Sequence, residues 1–157
     1  MTTSGFGDLI APGGVLFDVH VANKRQLFGV LATHAARQTG LDSDQILNAM
    51  IEREQQGTTG FGAGTAIPHI RMPTVGRVVA IAAKLAMSIN YAALDGLPVD
   101  LVVLMIAPSG NGADHLKALA RISRALRDRD LTSKLRGCAS ADALQALLTQ
   151  DLQSRAA

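Results

Sequence analysis

The sequence predicts one α/β domain, an α/β sandwich in which a mixed central sheet carries helices on both faces. Three observations carry that reading. Segments with helical apolar spacing come before, between and after segments with strand character. The run V-D-L-V-V-L-M-I-A at 99–107 is almost continuously apolar, as a central strand covered on both faces must be. The 157 residues are 48% apolar and 18% charged, enough to bury one core. Aromatic residues make up only 3%, so Leu, Ile, Val, Ala and Met have to fill it.

The elements follow in order. Residues 1–13 read as a mobile amino-terminal segment and 14–157 as the folded domain. Gly14 to Val21 (G-V-L-F-D-V-H-V) has the pattern of a short strand. Asn23 can cap a helix running to about Thr39, with Leu27, Val30, Leu31, His34 and Ala35 on one face and Gly40 as its stop. Asp42 or Ser43 caps a second helix with an apolar stripe of Ile46, Leu47, Met50 and Ile51. It ends at Gly57, which puts Arg53 and Glu54 in its last turn. Arg77 to Met87 opens with the β-branched residues of a strand, and Asp95-Gly96 signals a turn before the strand that follows Pro98. Pro108 to Gly112 reads as a loop, leading into a helix from about Ala113 to Arg127 with Leu116, Leu119, Ile122 and Leu126 inward. Ser140 caps a last helix carrying Leu144, Leu147 and Leu148.

Several function classes are disfavoured. A net charge of +2 spread along the chain gives no footprint for nucleic acid. Cys138 is the only cysteine, which rules out an internal disulfide and a cysteine-based zinc site. The first residues lack a signal-peptide pattern, and the longest apolar stretch, Val99 to Pro108, is short and broken by Asp100. The expectation is a soluble, cytoplasmic protein without membrane insertion, metal or cofactor.

The chemistry concentrates in Gly57-Thr-Thr-Gly60-Phe-Gly62-Ala-Gly64-Thr-Ala-Ile-Pro68-His69. Glycines at this density let a backbone approach a ligand and turn its N–H groups toward an anion such as phosphate. Gly60, Gly62, Gly64 and Thr65 are therefore the expected phosphate-binding loop. Pro68 stiffens the chain before His69 and removes a competing donor. A histidine so presented can hold one ring nitrogen in a hydrogen bond and leave the other free to attack. His20 and His34 have no supporting motif. A metal site from His69 and His115 would need a third ligand, and Glu52, Glu54 and Asp114 lack zinc spacing. Glu54 can orient Arg53 or close an ion pair, and Cys138 reads as a small packing residue.

T-G-F-G-A-G-T-A-I-P-H resembles the signature of the type-2 enzyme IIA domains of the bacterial phosphotransferase system, the fructose/mannitol/nitrogen class. I-E-R-E-Q-Q-G before it, L-P-V-D-L-V-V-L-M-I-A-P and H-L-K-A-L-A-R-I-S-R-A-L after it resemble family segments in the same order. The resemblance implies that His69 accepts a phosphoryl group on its ε nitrogen from a small phosphohistidine carrier protein (HPr- or NPr-like). It also implies that Arg53 and His115 are the arginine and second histidine of the active site, and that Arg71 matches a basic position after the acceptor. The usual asparagine between the glycines is Ala63 here, and the usual glycine after the histidine is Ile70.

The amino-terminal run L-F-D-V-H-V-A-N-K-R-Q-L-F-G-V-L-A resembles the nitrogen-related branch, in which a free-standing IIA protein signals through its phosphorylation state. The expected role is a nitrogen or metabolic switch with unidentified protein targets, whose dephosphorylated form receives an apolar partner surface over Phe61 and Ile70. Alternatives are a sugar-specific IIA that passes phosphate to a IIB domain, a binding module with an unused histidine, and a metal-dependent hydrolase.

Overall fold

A computed structural model describes residues 5–110 and 112–156. In chain order the strands are β1 (Val15–Val19), β2 (Gly60–Gly62), β3 (Thr65–Ala66), β4 (His69–Met72), β5 (Val79–Ile89) and β6 (Val99–Pro108). The helices are α1 (Lys24–Thr39), α2 (Ser43–Gln55), α3 (Gly112–Arg127), α4 (Arg129–Arg136) and α5 (Ala141–Ala156). The sheet is mixed, ordered β1-β5-β6-β3-β2, and β4 pairs with β6 further along the same edge as β3. β5 and β6 are antiparallel, whereas β1 runs parallel to β5 and both β3 and β4 run parallel to β6.

β6 is the spine of the sheet because its residues are apolar on both faces. Val102, Leu104 and Ile106 meet Leu27, Phe28, Leu31, Ile46 and Met50 of α1 and α2. Leu101, Val103 and Met105 meet Ile122, Leu126, Leu131, Leu135, Leu144 and Leu148 of α3, α4 and α5. The period of two along one strand thus divides the core between two helical layers.

The helix ends follow the local chemistry. Asn23 and Asp42 accept the backbone N–H groups of Gln26 and Gln45. Gly40 closes α1 in the left-handed conformation at φ 76°, a geometry a side chain would resist. Ser140 caps α5 through the Ala143 N–H.

Four expectations change. Residues 5–13, expected to be mobile, are packed: Gly7–Leu9 forms a 3-10 turn, Phe6 is 1% exposed in the core, and Arg121 donates to Asp8 and the Gly5 carbonyl. Residues 1–4 lie outside the described residues. On α3 the inward face is His115, Ala118, Ile122, Ala125 and Leu126, and Leu116 is 63% exposed. Small alanines hold that stripe close to the sheet, so a reading from large residues alone was rotated. On α1 the missing core residue is Phe28, while Val30 is 38% exposed. Finally, α4 and the strands β2, β3 and β4 went unread. Leu131 and Leu135 at i and i+4 are α4's weak signal, and the glycines disguise a hairpin.

Candidate active site

His69 opens β4, one residue after Pro68, whose carbonyl accepts the Met105 N–H at 2.9 Å. The preceding Ile67 is held by its own N–H to the Thr59 carbonyl at 3.0 Å. Two backbone bonds and a fixed proline φ therefore set the direction of His69. Ile70 and Met72 face the α1–α2 layer. By strand alternation His69 and Arg71 face the other side, toward α3. There His115, in the first turn of α3, brings its ring centroid to 5.6 Å from that of His69.

The tautomer of His69 follows from its partner. Its Nδ1 stands 2.8 Å from the Ile67 carbonyl oxygen, which can only accept, so Nδ1 carries the proton. In the neutral ring the lone pair is then on Nε2. Burial pushes the His69 pKa below the usual 6.5, Arg53 and Arg71 add repulsion, and the Ile67 bond and Glu54 oppose them without prevailing. His115 is lowered too, by burial first, then by Arg71 and His69. Its Nδ1 is buried with no hydrogen-bond partner among the described residues.

The two histidines share an open cleft of about 400 Å³ with Ala49, Glu52, Arg53, Gln56, Ile70 and Arg71. Arg53 is steadied by its Nη1, which donates to the Gly57 carbonyl at 2.9 Å. Behind it lies a polar knot that sequence reasoning missed. The Glu54 carboxylate accepts from Lys24 at 2.9 Å, from the Thr59 N–H at 3.0 Å and from the Thr59 hydroxyl at 2.6 Å. The fully buried Tyr91 places its hydroxyl 2.7 Å from the same Thr59 oxygen. Burial alone would raise the Glu54 carboxyl, but these donors together carry it below its usual range. Of the two expected roles for Glu54, the ion pair is the one seen, and its partner is Lys24. Thr59 and Tyr91 carry no local sequence signal, because 32 residues separate them.

The expected phosphate-binding loop is not part of this cleft. None of Gly60, Gly62, Gly64 and Thr65 lines it. They build the β2–β3 hairpin, where a Cβ on Gly60 would meet Tyr91 at 2.8 Å and one on Gly64 would meet Arg136 at 2.6 Å. Thr65 is buried and gives its hydroxyl to the Gly62 carbonyl at 2.7 Å. The glycines serve packing, and the polar groups lining the cleft belong to the side chains of Glu52, Arg53, Gln56, His69, Arg71 and His115. Nor does Ile70 offer a docking surface: it is 5% exposed in the core, while Phe61 lies on a different cleft. Ala63 holds the left-handed conformation, φ 55°, a geometry that asparagine tolerates better than alanine.

Among the described residues no three His, Cys, Asp or Glu side chains come together as a metal site. No helix among them is long and apolar enough to cross a membrane. Cys138 is a free thiol whose Sγ lies 3.4 Å from the Lys134 carbonyl.

A mixed sheet that presents a clamped imidazole beside two arginines and a second histidine defines an α/β domain with a cationic cleft at the sheet edge. The family model for "Phosphoenolpyruvate-dependent sugar phosphotransferase system, EIIA 2" matches residues 8–151, and the chain belongs to that family. A nitrogen regulatory protein of Bradyrhizobium diazoefficiens is 44% identical over 141 residues, 90% of this chain and 92% of that one. A fructose-specific EIIA component of Haloferax volcanii is 35% identical over 109 residues, 69% of this chain and 71% of that one. Among solved structures, the nitrogen regulatory protein IIA-Ntr of Neisseria meningitidis aligns with a TM-score of 0.84 at 25% identity, covering 90% of this chain and 97% of its own.

Proposed function

We propose that the protein is a phosphoryl-accepting regulatory IIA component, phosphorylated on Nε2 of His69 by a phosphohistidine carrier protein and switched by that charge. The observation that carries this reading is the Nδ1–H of His69 fixed on the Ile67 carbonyl, which leaves Nε2 unprotonated in a cleft with Arg53, Arg71 and His115. In the transfer the P–N bond of the donor imidazole breaks as the bond to Nε2 forms. The donor nitrogen recovers its lone pair, and the Nδ1 proton stays where it is. Such an exchange between imidazoles is close to thermoneutral, so alignment and charge on the equatorial oxygens matter more than a strong acid or base. Arg53 and Arg71 supply that charge, and His115 supplies a short-range polar contact.

The test is incubation with phosphoenolpyruvate, enzyme I and the carrier, read by intact mass and acid lability. The expected product is a single acid-labile phosphoryl group that His69→Ala abolishes. Labelling of His69→Ala to the parent level would overturn the assignment. The relatives support the nitrogen branch first. The 35% identity to a fructose-specific EIIA component supports a second reading, in which the phosphoryl group passes to a sugar IIB domain. Efficient transfer to a fructose-type IIB domain would establish that reading instead.

A further inference from the structure

We propose that the cleft between the β2–β3 hairpin and α4 binds an organic phosphate, at a site separate from the His69 cleft. The cavity measures about 630 Å³, inside the span of small-molecule sites, roughly 300–1,000 Å³. The hairpin tip, Phe61 to Ala63, forms one wall, and the end of α3 with one stripe of α4 forms the other. Arg129, Thr132, Ser133 and Arg136 are spaced i, i+3, i+4 and i+7, so they share a helical face. The opposite stripe, Leu131 and Leu135, is buried in the core and fixes how α4 is rotated.

The lining is electropositive. It holds three guanidinium groups, from Arg127, Arg129 and Arg136, and no acidic side chain among the described lining residues. Arg136 is already committed: it donates to Asp100 at 2.9 and 3.1 Å and to the Ala63 carbonyl at 2.8 Å, which ties the hairpin tip to β6. Asp128, between the other two arginines in sequence, accepts the N–H groups of Asp130 and Leu131 as the cap of α4. Arg127 places its guanidinium carbon 6.0 Å from the Phe61 ring centre, at the outer limit of cation–π range, so a cationic head and an aromatic face meet on the same side of the cleft.

The ligand class follows from the lining. Phosphoryl oxygens match guanidinium forks in charge and geometry, and the Ser133 hydroxyl adds a donor. Phe61 and Leu126 form an apolar wall that a bare ion would leave uncovered and the carbon portion of a phosphate ester would fill. The cleft shares no lining residue with the His69 cleft. Along β6, Thr65 is in register with Leu101 and His69 with Met105, four residues or about 13 Å apart.

The experiment is calorimetric titration of the full chain with ADP, glucose 6-phosphate and pyrophosphate. At least one of the two esters is expected to bind saturably and more tightly than pyrophosphate. Arg127→Gln and Arg129→Gln should each weaken it about tenfold or more, the loss of a charge-assisted hydrogen bond. Phe61→Leu should weaken the ester and leave pyrophosphate unchanged. Both arginines are exposed, so neither variant should lower the thermal midpoint of the free protein. Absence of saturable ester binding at millimolar concentration, or binding unaffected by both arginine variants, would overturn the proposal. So would pyrophosphate binding as tightly as the esters. Phosphorylation of the same variants at His69 is measured in parallel and should be unchanged, which separates this proposal from the acceptor assignment.

Discussion

The rings of His69 and His115 stand 5.6 Å apart at a 58° tilt, one carried by β4 and the other by α3. The pairing is costly to the folded protein. His115 is 6% exposed, and its Nδ1 has no hydrogen-bond partner among the described residues. A buried nitrogen left unpaired is a penalty that a group arriving with the reaction can relieve.

The first prediction concerns that pair and its arginine. Under conditions where each variant is fully folded, Arg53→Ala and His115→Ala should each slow phosphorylation of His69. The loss of one charge-assisted contact in the transition state costs about 2.7–4 kcal/mol, or roughly two to three decades in rate. Rapid-quench labelling by the carrier measures it. Unchanged rates in both variants would remove these residues from the mechanism.

Stability should depend on pH through the same two histidines. Their folded-state pKa values lie below the usual 6.5, chiefly because of burial. Below 6.5 the unfolded chain therefore binds more protons than the folded one, and stability falls as pH drops. Above 6.5 the contribution is fully present. The slope is at most about 1.4 kcal/mol per pH unit for each histidine, and urea midpoints between about pH 7.5 and about pH 5.5 should show it. A double variant, His69→Gln with His115→Gln, should flatten the profile. A profile as steep as the parent's would assign the dependence to other groups.

Gly60 separates packing from phosphate binding. A Cβ there would lie 2.8 Å from the Tyr91 ring and 2.9 Å from the Ala93 Cβ. Gly60→Ala should lose about 1–3 kcal/mol by overpacking. Under conditions where it is fully folded, its phosphorylation rate should match the parent's. A large loss of rate in folded Gly60→Ala would return the hairpin to the site.

Thr59→Val tests the polar knot behind Arg53. It removes the hydroxyl shared by Glu54 and Tyr91 and leaves the shape nearly unchanged. The buried Tyr91 hydroxyl then lacks its partner, at a cost of about 1–3 kcal/mol. Thr59→Ser restores the hydroxyl and should restore both stability and labelling rate. If Ser fails where Val fails, packing of the methyl group is responsible.

The last prediction concerns signalling. A phosphoryl group on His69 brings about −1.5 to −2 charges to the mouth of the cleft. Partners that pack apolar surface at its rim should be expelled, and Leu116, 63% exposed next to His115 in sequence, is the apolar contact they should use. Pull-downs with phosphorylated protein, unphosphorylated protein and Leu116→Glu test this. Identical partner sets for all three would reject a charge switch at this face.

The sequence by itself determined the elements whose signals are local. Asn23, Asp42 and Ser140 announce helix starts, Gly40 announces a stop, and the unbroken apolar run of β6 could only lie between two layers. The proposed acceptor carries a local signal for the same reason, because Pro68 and His69 are neighbours and their stiffness is covalent. Tertiary structure decided the rest. The glycines, read as a cradle for phosphate, form a hairpin in which Tyr91 and Ala93, some thirty residues away, leave no room for a side chain at Gly60, and Arg136 leaves none at Gly64. Leu116 turned outward because the alanines of α3 settle closer to the sheet than leucine would allow. The Glu54–Thr59–Tyr91 knot and the arginine cleft facing Phe61 join residues that no spacing relates. Local chemistry sets where an element begins, ends and stiffens. Which faces meet is set by the volume left between packed layers, a quantity defined only once the chain has closed on itself.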